Sequence, residues 1–243
     1  MVNHDADSTP LAPRRVVAVI PARTGSRRLP DKPLKLIGGE PLVCRVLRLV
    51  RECAEIDEVL VATDDLRVAR LVREAGGRVV FDDADCSCGT ERVARAVTKT
   101  DAEIVLNVQV DQAFVAPSAL EALIARLREG EDIATLAAPL SVERDYDPNA
   151  VKVLRSPNDR RACGFWRTPK GHAARLHVGV YGFRRHALDA VAQLPRSARA
   201  AEADLEQLTW MDADWPISVV HVPNPTFSID TPEDLAVAQE RLQ

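Results

Sequence analysis

Four fixed cations stand among small residues in the stretch Pro21-Ala22-Arg23-Thr24-Gly25-Ser26-Arg27-Arg28-Leu29-Pro30-Asp31-Lys32-Pro33-Leu34. That composition suits a triphosphate. Gly25 and Ser26 let backbone amides approach phosphate oxygens, Arg23 and Arg28 can grip those oxygens bidentately, and Lys32 adds a point charge. The stretch is not a Walker loop, because the Gly-Lys-Ser/Thr ending is missing. A solvated basic turn has the same composition, and only its place directly behind the apolar run Val16 to Ile20 favours a ligand loop.

Two carboxylates sit in matching places. Asn107-Val108-Gln109-Val110-Asp111 ends one apolar run in an acid, and Ser228-Ile229-Asp230-Thr231-Pro232 repeats the arrangement far down the chain. Either aspartate alone could be a simple cap. Together they could converge on one hard cation, for which magnesium is the natural candidate, since it rests on one or two protein carboxylates and completes its shell with phosphate oxygens.

The surrounding pattern must bring these residues together. Val16 to Ile20, Glu58 to Ala62, Arg78 to Phe81 and Ile104 to Gln109 read as strands. They alternate with helical periods over Leu42 to Cys53, Leu66 to Ala75, Thr90 to Val97 and Pro117 to Leu127. This alternation predicts an α/β fold, a mostly parallel sheet with helices on both faces and ligands at the carboxyl ends of its strands. The pattern changes near Ile133 and becomes mixed, with broken strands up to Tyr181, so an inserted acceptor and dimerisation region is expected over about residues 133–215. Ala187 to Val191 and Ala201 to Met211 look helical, Ile217 to Val222 looks like a strand, and Thr231-Pro232-Glu233-Asp234 starts a closing helix. Residues 1–15 are polar and proline-bearing and read as a loose leader to a single domain, 16–243.

Composition narrows the class further. The chain has 243 residues, 46% of them hydrophobic, which is enough for one substantial core. A net charge of −4 gives no global attraction to nucleic acid or membrane. No apolar run approaches membrane-span length and no secretory signal is visible, so a cytoplasmic setting is expected. Five cysteines suit reduced thiols. Cys86 and Cys88, the one tight pair, lack a second pair or a nearby His and make a poor zinc site.

The basic loop, the Asn-Val-Gln-x-Asp segment and Asp230-Thr231-Pro232-Glu233-Asp234-Leu235 together resemble the 3-deoxy-manno-octulosonate (Kdo) cytidylyltransferase family. Between them Val61-Ala62-Thr63-Asp64, Gly89-Thr90-Glu91-Arg92, Asp147 to Val153, Gly179-Val180-Tyr181-Gly182 and Leu205-Glu206-Gln207-Leu208 occur in the family's order. The resemblance implies a Rossmann-like nucleotidyltransferase fold, a homodimer, magnesium, and attack of an acid's hydroxyl on the α-phosphate of CTP. It implies that Ala22, Arg23, Ser26, Arg28 and Lys32 hold the triphosphate, with Gly89, Thr90 and Arg92 on the nucleotide side. By the same resemblance Asp111 and Asp230 hold metal and act in catalysis with Lys32 and Arg28. Gln109, Arg167, His177, Tyr181, Glu206 and Gln207 fall in segments like the family's acceptor pocket, although His177 and Tyr181 suit a strand core and Glu206 a surface helix equally well.

The chain departs from the family's pattern mainly around that pocket. Val110, Gln112 and Ala113 stand where Gly, Glu and Pro are usual, Leu176 and Thr209 where arginines are, Phe183 for a tyrosine and Ala203 where an acid is common; Cys88 replaces a serine and Asp31 a glycine. Lost polar partners weaken discrimination for a polyhydroxylated sugar acid. Two acceptors are therefore expected: Kdo first, and a compact acid such as phosphonoformate in a phosphonate natural-product pathway second. A nucleotide-binding homologue without turnover is a third reading, opposed by the intact Lys32, Asp111 and Asp230.

Overall fold

The computed structural model describes residues 15–26, 28–82, 86, 88–223 and 227–242. Arg27 and all of the expected leader except Arg15 lie outside them. The chain runs β1 (Val16–Pro21), β2 (Leu36–Ile37), β3 (Glu40–Pro41), α1 (Leu42–Arg51), β4 (Glu58–Thr63), α2 (Leu66–Glu74), β5 (Arg78–Phe81), α3 (Gly89–Ala96), β6 (Ile104–Val108) and α4 (Pro117–Arg128). It continues through β7 (Ile133–Ala138), α5 (Val142–Tyr146), β8 (Lys152–Arg155), β9 (Ala162–Trp166), β10 (Arg175–Arg184), α6 (Arg185–Val191), α7 (Ala198–Ala203), α8 (Gln207–Asp212), β11 (Ser218–His221) and α9 (Pro232–Glu240).

β1 shows why the sheet is buried on both faces. Val16, Ala18 and Ile20 join the core packed under α1, α2 and α4. Val17 and Val19 join the other core, with α3, α6 and Trp210 of α8. Alternate side chains of a strand point to opposite faces, so a continuous apolar run is what a doubly covered strand requires. The main sheet runs β11-β7-β10-β6-β1-β4-β5. β1 pairs in parallel with β4 and β6, and β4 with β5.

The mixed segment supplies the reversed strand. β10 lies between β6 and β7 and is antiparallel to both. Because it is reversed, its first half passes the carboxyl end of β6, where Val180 pairs with Val108. His177 and Gly179 are thereby carried beyond the end of β6, into the region where ligands collect. The β8–β9 hairpin joins β10 at that same end through Arg175–Val153 and Leu176–Lys152.

Two local readings change. The helix expected over Ala201 to Met211 is two helices, α7 and α8, because Asp204 adopts the left-handed conformation (φ 51, ψ 48) and its N–H closes onto Ala200. Asp31, where a glycine was expected from the resemblance, also takes left-handed angles (φ 55, ψ 31). Aspartate tolerates that region better than most residues. At α9 the anticipated start is present in full: Thr231 Oγ1 accepts from Asp234 N, and the Asp234 carboxylate accepts from the backbone of both Thr231 and Asp230. No helix among the described residues is long and apolar enough to cross a membrane.

One buried cation braces the hairpin. Lys152 is fully buried, and its ammonium donates to the carbonyls of Asp147 (2.7 Å), Ala150 (3.0 Å) and Arg167 (2.8 Å). Burial lowers its pKa, opposed by Asp145 and Asp147. Lys152→Met leaves three carbonyls without their donor and is expected to cost about 3 kcal/mol in urea unfolding, since orphaning buried acceptors carries their desolvation penalty. An unfolding midpoint equal to that of the wild type would show that these bonds contribute nothing net.

Candidate active site

The carboxyl end of β6, the first half of β10 and the segment before α9 border a cavity of about 360 Å³. Asp111 and Asp230 on its lining hold between them a lysine that is not itself a lining residue. Lys32 lies in the one-turn helix 32–34 that follows the basic loop, and it is only 7% exposed. Its Nζ donates to Asp111 Oδ2 at 3.1 Å and to Asp230 Oδ1 at 2.8 Å. The two acids meet because their backbones do: Ile229 N donates to the carbonyl of Asp111 at 3.1 Å.

The electrostatics follow from this geometry. Burial works to lower the Lys32 pKa, but the charges of Asp111 and Asp230 outweigh it and hold the ammonium above its ordinary value. For Asp230 burial pushes the pKa up, and the Lys32 charge and hydrogen bond, with help from Arg28 and Arg167, bring it below the ordinary carboxylate value. Arg28 extends the cluster outward. Its Nη2 donates to Asp230 Oδ1 at 3.1 Å and its Nη1 to Asn149 Oδ1 at 2.7 Å.

Most of the expected residues line this one cavity. Arg28, Asp111 and Asp230 form its charged side, and Gly89 opens α3 onto it. Gln109, His177, Tyr181, Glu206 and Gln207 line it as well. Tyr181 packs edge-on against Trp210, with ring centroids 5.0 Å apart, and lies 5.3 Å from the His177 ring. Burial raises the Glu206 pKa against hydrogen bonds from the Cys88 thiol and from the Thr90 hydroxyl and amide. Gly179 lets the strand pass close to both glutamines: a Cβ there would lie 3.1 Å from Gln112 Nε2 and 3.3 Å from Gln109 Oε1, so the two amides would have to shift by a few tenths of an ångström.

Several expected contacts take a different form. Arg167 lines the cavity, but its guanidinium donates to the backbone carbonyls of Ala203, Pro148, Asn149 and Asp204. It is a brace for the rim whose charge reaches Asp230 rather than a free fork for an acceptor. Arg92 is 1% exposed and is spent on Asp82 O at 2.8 Å and Asp64 Oδ2 at 3.0 Å, so it holds the floor beneath α3 instead of reaching the cavity. Thr90 is likewise buried, receiving Asn107 Nδ2 at 3.5 Å. Ala22, Arg23 and Ser26 stand outside the cavity lining: Ala22 N bonds Ala62 O, Arg23 Nη1 donates to Cys86 O at 3.2 Å, and Ser26 Oγ accepts from Leu29 N. Residues 83–85 and 87 of the neighbouring loop lie outside the described residues.

The structure also uses residues that sequence reasoning did not assign to the site. Gln112 Nε2 donates to Asp111 Oδ1 at 2.8 Å, leaving Oδ2 toward Lys32. Asn149 anchors Arg28. Of the departures from the family pattern, Leu176 and Thr209 do face the cavity, whereas Val110 packs into the core on one side of the sheet and Phe183 into the core on the other. Val110 therefore adds no bulk to the cavity lining. Cys88 takes over a helix cap, its Sγ accepting from Glu91 N at 3.5 Å.

Residues 17–215 match the profile of the cytidylyltransferase family, which makes the chain a nucleotidyltransferase. The 3-deoxy-manno-octulosonate cytidylyltransferase of Anaeromyxobacter sp. (strain Fw109-5) is 38% identical, over 94% of this chain and 97% of that relative. The enzyme of the same name from Afipia carboxidovorans is 40% identical, over 93% and 96%. A solved structure of CMP:2-keto-3-deoxy-manno-octonic acid synthetase complexed with CTP superposes with a TM-score of 0.87 at 35% identity, covering 94% of this chain and 98% of that one. The 4-diphosphocytidyl-2C-methyl-D-erythritol synthase of Anaerococcus prevotii, at 18% identity and a TM-score of 0.66, shares the fold. The chain belongs to the 3-deoxy-manno-octulosonate cytidylyltransferase family.

Proposed function

We propose that the protein transfers CMP from CTP to Kdo with release of pyrophosphate, and that magnesium rests on Asp111 and Asp230. The observation that carries this reading is the Lys32 ammonium held between the buried Asp111 and the half-buried Asp230, two carboxylates that line a polar cavity. The pair fits the metal: both donors are hard oxygens, both already hold one cation, and among the described residues no cluster of three or more His, Cys, Asp or Glu offers a richer site. Held by Asp111 and Asp230, magnesium would supply positive charge to phosphate oxygens and so lower the charge barrier to attack on the α-phosphate. Lys32 and Arg28 supply fixed positive charge toward the triphosphate, where negative charge grows as pyrophosphate departs. The wall of Gln109, His177, Tyr181, Glu206 and Gln207 receives the acceptor.

A compact acid such as phosphonoformate remains the second reading, favoured by the apolar Leu176 facing the cavity. Homodimer assembly and a cytoplasmic setting, with the product serving an envelope polysaccharide, belong to the first reading. Pyrophosphate release with each nucleoside triphosphate across a panel of acids tests it. CTP with Kdo should give the highest kcat/KM. Turnover with a compact phosphonate and none with Kdo would transfer the assignment to the second reading.

A further inference from the structure

β10 crosses β7 through an irregularity: Val178 pairs with Leu136 but Tyr181 pairs with Thr135, so Gly179 and Val180 bulge from the ladder. Thr135 sits opposite the bulge, fully buried. Its Oγ1 lies 2.8 Å from the Val180 carbonyl and 3.0 Å from His177 Nε2. A hydroxyl has one proton, and a carbonyl can only accept. The proton therefore goes to Val180 O, because otherwise two oxygen lone-pair atoms would face each other at 2.8 Å inside the core. Oγ1 is left as an acceptor, and Nε2 must donate to it. The ring proton is thus on Nε2.

Nδ1 is then a bare lone pair. Burial lowers the His177 pKa to about 3, so the ring is neutral at physiological pH. No described residue hydrogen-bonds Nδ1. It is nevertheless absent from the buried polar atoms that lack a partner, which among the described residues are Arg92 Nε and Asn107 Oδ1. It is therefore accessible, and the space it reaches is the cavity that His177 lines. The Glu206 carboxyl borders the same wall, with its proton-donating neighbours Cys88 and Thr90 already turned toward it.

We propose that Thr135 is a positioning residue that locks His177 as the Nε2–H tautomer, so that Nδ1 accepts a hydrogen bond from a hydroxyl of the acceptor substrate. An acceptor at this one place takes a hydroxyl proton and gives no bond to a phosphonate or carboxylate oxygen, so Nδ1 adds to the binding of a hydroxylated acid and nothing to that of a compact phosphonate. The ring is too weak a base to remove the hydroxyl proton, and its work is orientation. The proton on Nε2 stands on the geometry alone and the bare Nδ1 on that geometry together with the buried, neutral ring; only the hydroxyl's owner rests on the function proposed above.

Two-bond proton–nitrogen correlation spectra of the full chain, with 15N-histidine and with His177→Gln to assign the signal, test this without substrate. The wild type should show a neutral Nε2–H ring at His177. Thr135→Val should release the tautomer into a mixture or the Nδ1–H form, and Thr135→Ser should restore it. In steady-state kinetics Thr135→Val should raise the acceptor KM about tenfold with the CTP KM unchanged, while Thr135→Ser stays near wild type. An Nδ1–H or charged ring in the wild type, or a tautomer indifferent to Thr135→Val, overturns the proposal. The wild-type spectrum decides even if the valine variant fails to fold. An intact Nε2–H tautomer with no turnover of Kdo would overturn the acceptor assignment alone.

Discussion

Asp111→Asn and Asp230→Asn are each expected to slow turnover at least about a hundredfold, with added magnesium failing to restore the rate. Asparagine keeps the shape of the side chain and removes its charge, so the loss reports electrostatics rather than packing. The two variants should behave alike because the two carboxylates share one cation, Lys32, at 3.1 and 2.8 Å. Folding should survive in both, since Lys32 keeps one acidic partner and the Ile229–Asp111 backbone bond does not involve either side chain. Steady-state rates across a magnesium titration are the measurement. Near-normal turnover in either variant would remove that residue from the metal site.

That Lys32, Asp111 and Asp230 would come together was legible in the sequence because they sit where a parallel sheet gathers its loops. β1 and β6 are runs of apolar residues broken by polar ones, and the break marks the carboxyl end of the strand, so Lys32 and Asp111 could be placed without coordinates. Asp230 was legible for a second reason, the capping signal that follows it. The reversed β10 was not. An alternating strand looks the same whichever way its neighbours run, and its insertion between β6 and β7 depends on pairing across more than seventy residues of chain, as in Tyr181 with Asn107. The break between α7 and α8 was also hidden, because Asp204 carries no sign that it will turn left-handed. Arg92 and Arg167 show a different limit. An arginine in a motif looks the same whether it meets a phosphate or a carbonyl, and only the fold shows that Asp64, Asp82 and the rim carbonyls claim these two. The departures at Val110 and Phe183 misled for a related reason, since neighbourhood in sequence to an acceptor residue does not say which face of the strand a side chain takes.

Lys32→Met is expected to lower turnover about a hundredfold or more, to weaken CTP binding, and to destabilise the unliganded protein by about 3 kcal/mol near neutral pH. The stability term comes from what the lysine leaves behind. Asp230 is half-buried, and burial alone would raise its pKa; Lys32 is the main reason it falls below the ordinary value instead. In the wild type, a carboxyl depressed in the folded state adds stability that is present above its unfolded pKa and lost as pH falls through its folded pKa. Without Lys32 burial dominates, the folded pKa rises above the unfolded one, and the sign reverses: stability now declines as pH rises through that interval. Lys32 itself, raised in the folded state, contributes stability that is present below its unfolded pKa and lost as pH climbs through the folded value, so the wild type should weaken at strongly alkaline pH in a way the variant does not. Chemical unfolding from acid to neutral pH should therefore show the two proteins converging in acid and separating toward neutrality. Magnesium gives a second readout. Two carboxylates deprived of their ammonium form a stronger site for a divalent cation, so millimolar magnesium should raise the melting temperature of Lys32→Met more than that of the wild type. Calorimetry with CTP completes the set. Unchanged CTP affinity together with unchanged turnover would reduce the loop to an ordinary basic turn, and equal magnesium shifts in the two proteins would mean that the cation does not bind between Asp111 and Asp230.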